Sequence, residues 1–248
     1  MNRRGFIASA GAAAIAANTA IGNVIKTEDD AFNELKALLK GGEPAVWVFT
    51  GDSITHGALH TFGHRSYVEH FAERVRWELR RMTDIVINTG ISGDTMTGLL
   101  GRDEWRIFQF KPKVVSLKMG MNDCRNGEAG RKGFKDSLEK LVEKTKQRQA
   151  MLLLHTPNLI HFPNAKERVG LPGYVETIRE VAIKHKLPLV DHYAYWQKEI
   201  GTAGRLQMLL NDGSIHPNAY GHLFLAKKMF DDLGVFDEKS PVCRSFVP

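Results

Sequence analysis

Ala45-Val-Trp-Val-Phe-Thr50 runs directly into Gly51-Asp52-Ser53-Ile54-Thr55-His56-Gly57. The first six residues are apolar, aromatic or β-branched, which marks a buried strand. The next seven are mostly small and polar, the composition of a tight turn. A strand with no polar face suits a parallel sheet, whose strands are buried on both sides.

The same alternation continues along the chain. Ile85-Val-Ile87, Val114-Val-Ser-Leu-Lys118, Met151-Leu-Leu-Leu154 and Leu187-Pro-Leu-Val190 predict four more strands. Helices are predicted over residues 29–39, 66–82, 133–149, 173–186 and 218–233, with a further one reaching Phe108. In residues 66–82, Val68, Phe71, Ala72, Val75 and Leu79 recur at helical spacing. Strands alternating with helices predict a three-layer α/β/α sandwich around a five-stranded parallel sheet. The 248 residues suit one domain, expected over 44–248, with 21–43 as a lead-in. No internal repeat or low-complexity block interrupts it.

Residues 1–20 read as an address. Arg3 and Arg4 precede an Ala-rich apolar stretch, and Ala14-Ile-Ala16 and Ala20 offer cleavage points. This is the layout of a signal peptide, too short to span a bilayer. Paired arginines followed by Gly5-Phe6-Ile7 resemble a twin-arginine export signal. The expected destination is the periplasm or the extracellular space, without stable membrane insertion after removal of the signal.

The formal net charge is +6; removing Arg3 and Arg4 leaves 6 − 2 = +4. Acidic and basic residues are interleaved, so the balance argues against a nucleic-acid partner. Cys124 and Cys243 form no C-x-x-C pair, so no zinc or thioredoxin-like site is indicated. Export would permit one disulfide between them, but nothing in the sequence places them together, and two free thiols is the simpler reading.

In open α/β sheets, functional residues collect in loops at the carboxyl ends of the strands. Those loops carry Gly51-Asp52-Ser53, then Gly90-Ile-Ser-Gly93-Asp94, then Gly120-Met-Asn122-Asp123. Before the last helix stands Asp212-Gly-Ser-Ile-His216-Pro217. The set contains what acyl transfer needs. A serine hydroxyl requires a base within hydrogen-bond reach, which His216 can supply to Ser53. The developing oxyanion requires fixed donors: the Ser53 and Gly93 backbone N–H groups and the Asn122 amide.

These four blocks, in this order, resemble the SGNH hydrolase superfamily, also called GDSL esterases and lipases, over Ala45 to Leu233. The resemblance implies a flavodoxin-like fold, Ser53 as nucleophile, Gly93 and Asn122 in the oxyanion hole, His216 as base, and no metal or cofactor. One departure stands out. The family places its acid three residues before the histidine, where this chain has Gly213; Asp212 lies four before. Asp212 is expected to orient His216 through Nδ1, with a backbone carbonyl or Asp191 as alternatives.

Other patterns are weaker. Gly90-x-Ser92-x-Asp94 lacks the last glycine of a nucleophile elbow. Leu99 stands where a P-loop needs lysine. Asp52, Asp94 and Asp123 are expected to hold loops by side-chain-to-backbone bonds. His56, His60 and His64 are spaced by four, but Gly57 and Gly63 argue for a loop and against a zinc-binding helix face. His56, Arg65 and His155 are expected to contact substrate, with His60, Asn126 and His161 near the entrance. The expected activity is hydrolysis of carboxylic esters, of O-acetyl groups on carbohydrate in particular. The alternatives are a lysophospholipase or acyl-thioesterase, and a catalytically inactive binding module.

Overall fold

All five predicted strands pair in one parallel sheet. The computed structural model describes residues 31–244. The predicted signal peptide, and residues 21–30 of the lead-in, lie outside the described residues. The strands are β1 (Val46–Gly51), β2 (Ile85–Asn88), β3 (Val114–Lys118), β4 (Met151–His155) and β5 (Leu189–Val190), in the order β2-β1-β3-β4-β5. β1 pairs with β3 from Trp47 opposite Val114 to Gly51 opposite Lys118, so their carboxyl ends finish level.

Residues 31–40 are helical and form α1. The helices that follow are α2 (Ser53–His56), α3 (Tyr67–Glu73), α4 (Met96–Leu100), α5 (Asp103–Arg106), α6 (Gly127–Gln147), α7 (Leu171–His185), α8 (His192–Ile200), α9 (Ala203–Met208), α10 (Ala219–Asp232) and α11 (Pro241–Arg244). α3 packs against α10, and α6 against α7. The result is an α/β sandwich, as expected.

Local chemistry explains the differences in detail. Residues 66–82 are α3 followed by a π-helical turn, Arg74–Glu78, and not one helix. Ser66 starts α3 with a capping box to Glu69. α6 begins at Gly127 and not at Gly133; its first turn is polar and shows no apolar periodicity. The stretch reaching Phe108 is two short helices and a 3₁₀ turn, Phe108–Phe110. α8 and α9 lie where no helix was expected; α8 is capped by Asp191 and buries Tyr193, Trp196 and Ile200.

Aromatic packing fixes α3 on the sheet. Phe71 meets Trp47 at 5.0 Å, edge-on, and Phe49 at 4.9 Å. Such pairs add to simple area burial. The Trp47 indole N–H donates to Asp84 at 2.8 Å, so this large side chain is buried with its polar atom satisfied.

Candidate active site

β1 ends at Gly51, where a Cβ would collide with Thr55 Oγ1 and the Lys118 carbonyl. Only glycine allows the chain to pass this close to β3. Asp52 then caps α2, its Oδ1 accepting from Ile54 N at 3.0 Å. The cap starts a helix at Ser53 and holds its side chain at the strand-to-helix turn.

Ser53 Oγ lies 2.9 Å from His216 Nε2. His216 Nδ1 lies 2.5 Å from Asp212 Oδ2. The other Asp212 oxygen accepts from the backbone N–H groups of Ser214, Ile215 and His216, at 2.9, 2.9 and 3.1 Å. One carboxylate therefore winds the loop and faces the ring. Gly213 makes this possible: its φ of +63° is left-handed, and that turn absorbs the extra residue between acid and histidine. Burial alone would raise the Asp212 carboxyl. The His216 ring and the three backbone N–H groups outweigh it and hold the carboxyl well below the usual range. Asp191, the alternative orienter, instead caps α8 and pairs with Arg179 at 2.8 Å.

The ends of this loop are pinned. Leu210 and Pro217 form an antiparallel bridge, and Asn211 N donates to the His216 carbonyl at 2.8 Å. Asn218 caps α10 through Gly221 N at 3.1 Å. His161 N donates to the Ser214 carbonyl at 2.9 Å, so residue 161 supports the loop through its backbone.

Gly93 is left-handed, with φ +80°, and open space lies where a Cβ would sit. Asn122 Nδ2 donates to the Asp94 carbonyl at 3.0 Å, which fixes the amide beside that turn. Its second N–H is available to another acceptor. Asp52 and Asp123 hold backbone N–H groups, as expected; Asp123 Oδ1 accepts from Met96 N at 2.8 Å. Asp94 departs from that expectation: its partners are guanidinium groups, Arg102 at 3.0 Å and the buried Arg106. Arg106 also donates to the Thr89 carbonyl at 2.7 Å and the Gly51 carbonyl at 2.9 Å. A serine, an imidazole and a carboxylate in line, with donors nearby, can activate a hydroxyl and shuttle one proton.

The GDSL-like Lipase/Acylhydrolase family matches residues 49–223 of this chain. The chain belongs to that family. An acetylxylan esterase from Geobacillus stearothermophilus is 27% identical over 219 residues, covering 79% of this chain and 97% of the relative. A crystal structure of an acetylxylan esterase from Geobacillus stearothermophilus aligns with TM-score 0.64 and 25% identity, over 79% of this chain and 96% of that one. An alpha/beta hydrolase enzyme from the metagenome of Lake Arreo, Spain, shares the fold at TM-score 0.66 and 24% identity, over 81% and 100%. This family member is an ester-hydrolysing enzyme.

The other expected contacts of the hydrolase divide. His56 is exposed, with Nδ1 3.0 Å from Ser92 Oγ, one residue before Gly93. His155 requires a correction: it is buried below the sheet end and does not line an entrance. Its Nε2 meets Ser116 Oγ at 2.8 Å and its Nδ1 meets His192 Nε2 at 3.0 Å, so the ring is satisfied sideways. Burial pushes it down to about 3, so it is a neutral core residue. Arg65 is also elsewhere: it pairs with Glu73 at 3.6 Å and lines a groove with Trp77 and Arg80. Asn126 stands at the start of α6. Cys124 and Cys243 are buried and unpaired. Among the described residues, no cluster of three His, Cys, Asp or Glu side chains could hold a metal ion, and no helix is long and apolar enough to cross a membrane.

Two contacts carried no local signal. His60 lies flat against His216, with ring centroids 3.5 Å apart. Lys118, at the end of β3, is buried and donates to Asn158 Oδ1 at 3.3 Å. Burial pushes its ammonium down to about 8, against the opposing pull of the Asp52 carboxylate.

Proposed function

We propose that this chain is a serine esterase that removes O-acetyl groups from carbohydrate through an acetyl-enzyme. The observation that carries this reading is the in-line contact of Ser53, His216 and Asp212. Ser53 Oγ attacks the ester carbonyl while His216 Nε2 takes its proton. The oxyanion is held by the Ser53 and Gly93 backbone N–H groups and the free N–H of Asn122. Asp212 keeps the His216 proton on Nδ1 and stabilises the imidazolium that forms. His216 then gives the proton to the departing alcohol oxygen. Water attacks the acetyl carbonyl as His216 takes its proton, and acetate leaves as His216 returns that proton to Ser53 Oγ. The relative that matches over 97% of its length is an acetylxylan esterase, which supports a sugar ester as substrate. The layout of residues 1–20 supports delivery by a twin-arginine-type export route.

The test uses p-nitrophenyl acetate, butyrate and octanoate beside acetylated xylo-oligosaccharide, with and without EDTA. Expected are a preference for acetate, acetate release from the oligosaccharide, indifference to EDTA, and a loss of about 10³-fold or more in kcat for Ser53→Ala. Turnover that survives Ser53→Ala ends the serine mechanism; a preference for octanoate redirects the substrate to lipid esters.

A further inference from the structure

We propose that His60 is a positioning residue for His216, and that the turn carrying it serves to press one ring on the other. This rests on the serine-esterase reading above. The two rings are stacked 3.5 Å apart with their planes within 5° of parallel.

The need for such a contact follows from geometry. His216 is held at Nε2 by Ser53 and at Nδ1 by Asp212. Both contacts lie in the ring plane. They fix its position along that plane and leave it free to tilt about the line joining the partners. A body lying on a face of the ring opposes that tilt, and His60 is such a body. A tilt of the base lengthens its reach to Ser53 Oγ, and small misplacements of reacting groups are costly.

The backbone around His60 points the same way. Leu59 has φ +66°, Phe62 φ +51° and Gly63 φ +83°, all left-handed. The first two carry side chains that disfavour this conformation. These two residues are 78% and 74% exposed, so their burial returns little for the distortion. The turn is closed by His60 N to the Ala58 carbonyl at 2.8 Å and His64 N to the Thr61 carbonyl at 3.0 Å. Thr61 is buried and anchors it, donating to the Gly57 carbonyl at 3.0 Å. Left-handed residues that bury little themselves mark a functional constraint. What this turn delivers is the His60 ring.

The charge state fits. The titratable groups acting on His60 are His216 and Asp212, and His60 in turn acts on His222 of α10. Burial first, then the neighbouring His216, lower His60 against the opposing pull of the Asp212 carboxylate, which favours the neutral ring. A neutral aromatic face tolerates the imidazolium that His216 becomes in mid-reaction.

Two variants of the full chain, assayed with p-nitrophenyl acetate, separate stacking from bulk. His60→Leu keeps an apolar body without a flat ring, and His60→Phe keeps a flat ring without nitrogens. His60→Leu is expected to lower kcat about tenfold or more with KM within about twofold, while His60→Phe stays within about threefold of wild-type kcat. Both are expected to melt at the wild-type temperature, because the turn adds little to the core. A kcat for His60→Leu within about twofold of wild type overturns the proposal, as does a His60→Phe as slow as His60→Leu or a change confined to KM. Ser53→Ala in the same assay keeps the two failures apart: turnover surviving there sinks the serine reading, whatever His60 does.

Discussion

Asn158 reaches across 57 residues of chain to Ile215, its Nδ2 donating to the Ile215 carbonyl at 3.1 Å. The same nitrogen donates to the Leu159 carbonyl at 3.0 Å, while Oδ1 accepts from Lys118. The buried ammonium therefore decides which way the amide faces, and the amide holds the residue next to His216. Asn158→Leu keeps the volume and takes the shared partner from two carbonyls and an ammonium. The expected cost is about 1–3 kcal/mol of stability by urea unfolding, with a fall in kcat larger than any change in KM. Unchanged stability would show that the bridge is idle.

Asp212→Asn tests the acid. The amide oxygen can still accept the three backbone bonds that wind the loop, so the variant is expected to fold. What it loses is the acceptor for the ring. By analogy with other serine-histidine-aspartate sites, kcat should fall about 10³- to 10⁴-fold. A loss of tenfold or less would reduce Asp212 to a loop-holding role.

Asn122 is a partly separable case, since its amide also grips the Asp94 carbonyl. Asn122→Ala is expected to lower kcat about 10²- to 10³-fold while KM changes little, the mark of a donor used in the transition state. Equal effects on substrate binding would point to ground-state contact instead.

Acid should destabilise the fold. Burial pushes His70 down to about 4, His155 and His222 down to about 3, and His192 well below its ordinary value of 6.5. Their folded-state values lie below the unfolded ones, so the unfolded chain takes up more protons as pH falls below 6.5. Their contribution is full above that value and is lost as pH drops towards 3. Each contributes a slope of about 1.4 kcal/mol per pH unit within its own window. Asp52 and Asp123, raised by burial, oppose this, Asp123 up to about 6. Asp232 is raised by burial as well, but the lowered histidines, His60 and His185 among them, outnumber the raised carboxyls, so the urea midpoint is expected to fall steadily from pH 7 to pH 5. A flat or rising midpoint would contradict the assignment of these rings as neutral.

Much of the fold was legible because fully buried parallel strands are nearly continuous apolar runs, as Val46 to Phe49 is. Ser53, Gly93, Asn122, Asp212 and His216 were legible because each sits in a short polar block at the end of such a run or just before a helix. His155 misled for a related reason. A polar residue continuing an apolar strand reads as the start of a loop, whereas here Ser116 and His192 satisfy it inside the core. α8 and α9 escaped because each is short and Gly201 divides them. Arg106, Asn158 and His60 act through contacts between distant parts of the chain, which no local periodicity encodes.

Arg106 has a consequence for how the molecule breathes. One guanidinium joins the Gly51 carbonyl at the end of β1, the Thr89 carbonyl after β2, and the Asp94 carboxylate. No one of these loops can swing away without giving up a bond to the shared hub. Their amide protons should therefore exchange with solvent together, governed by a single opening equilibrium, and α5 would be the latch that sets its rate.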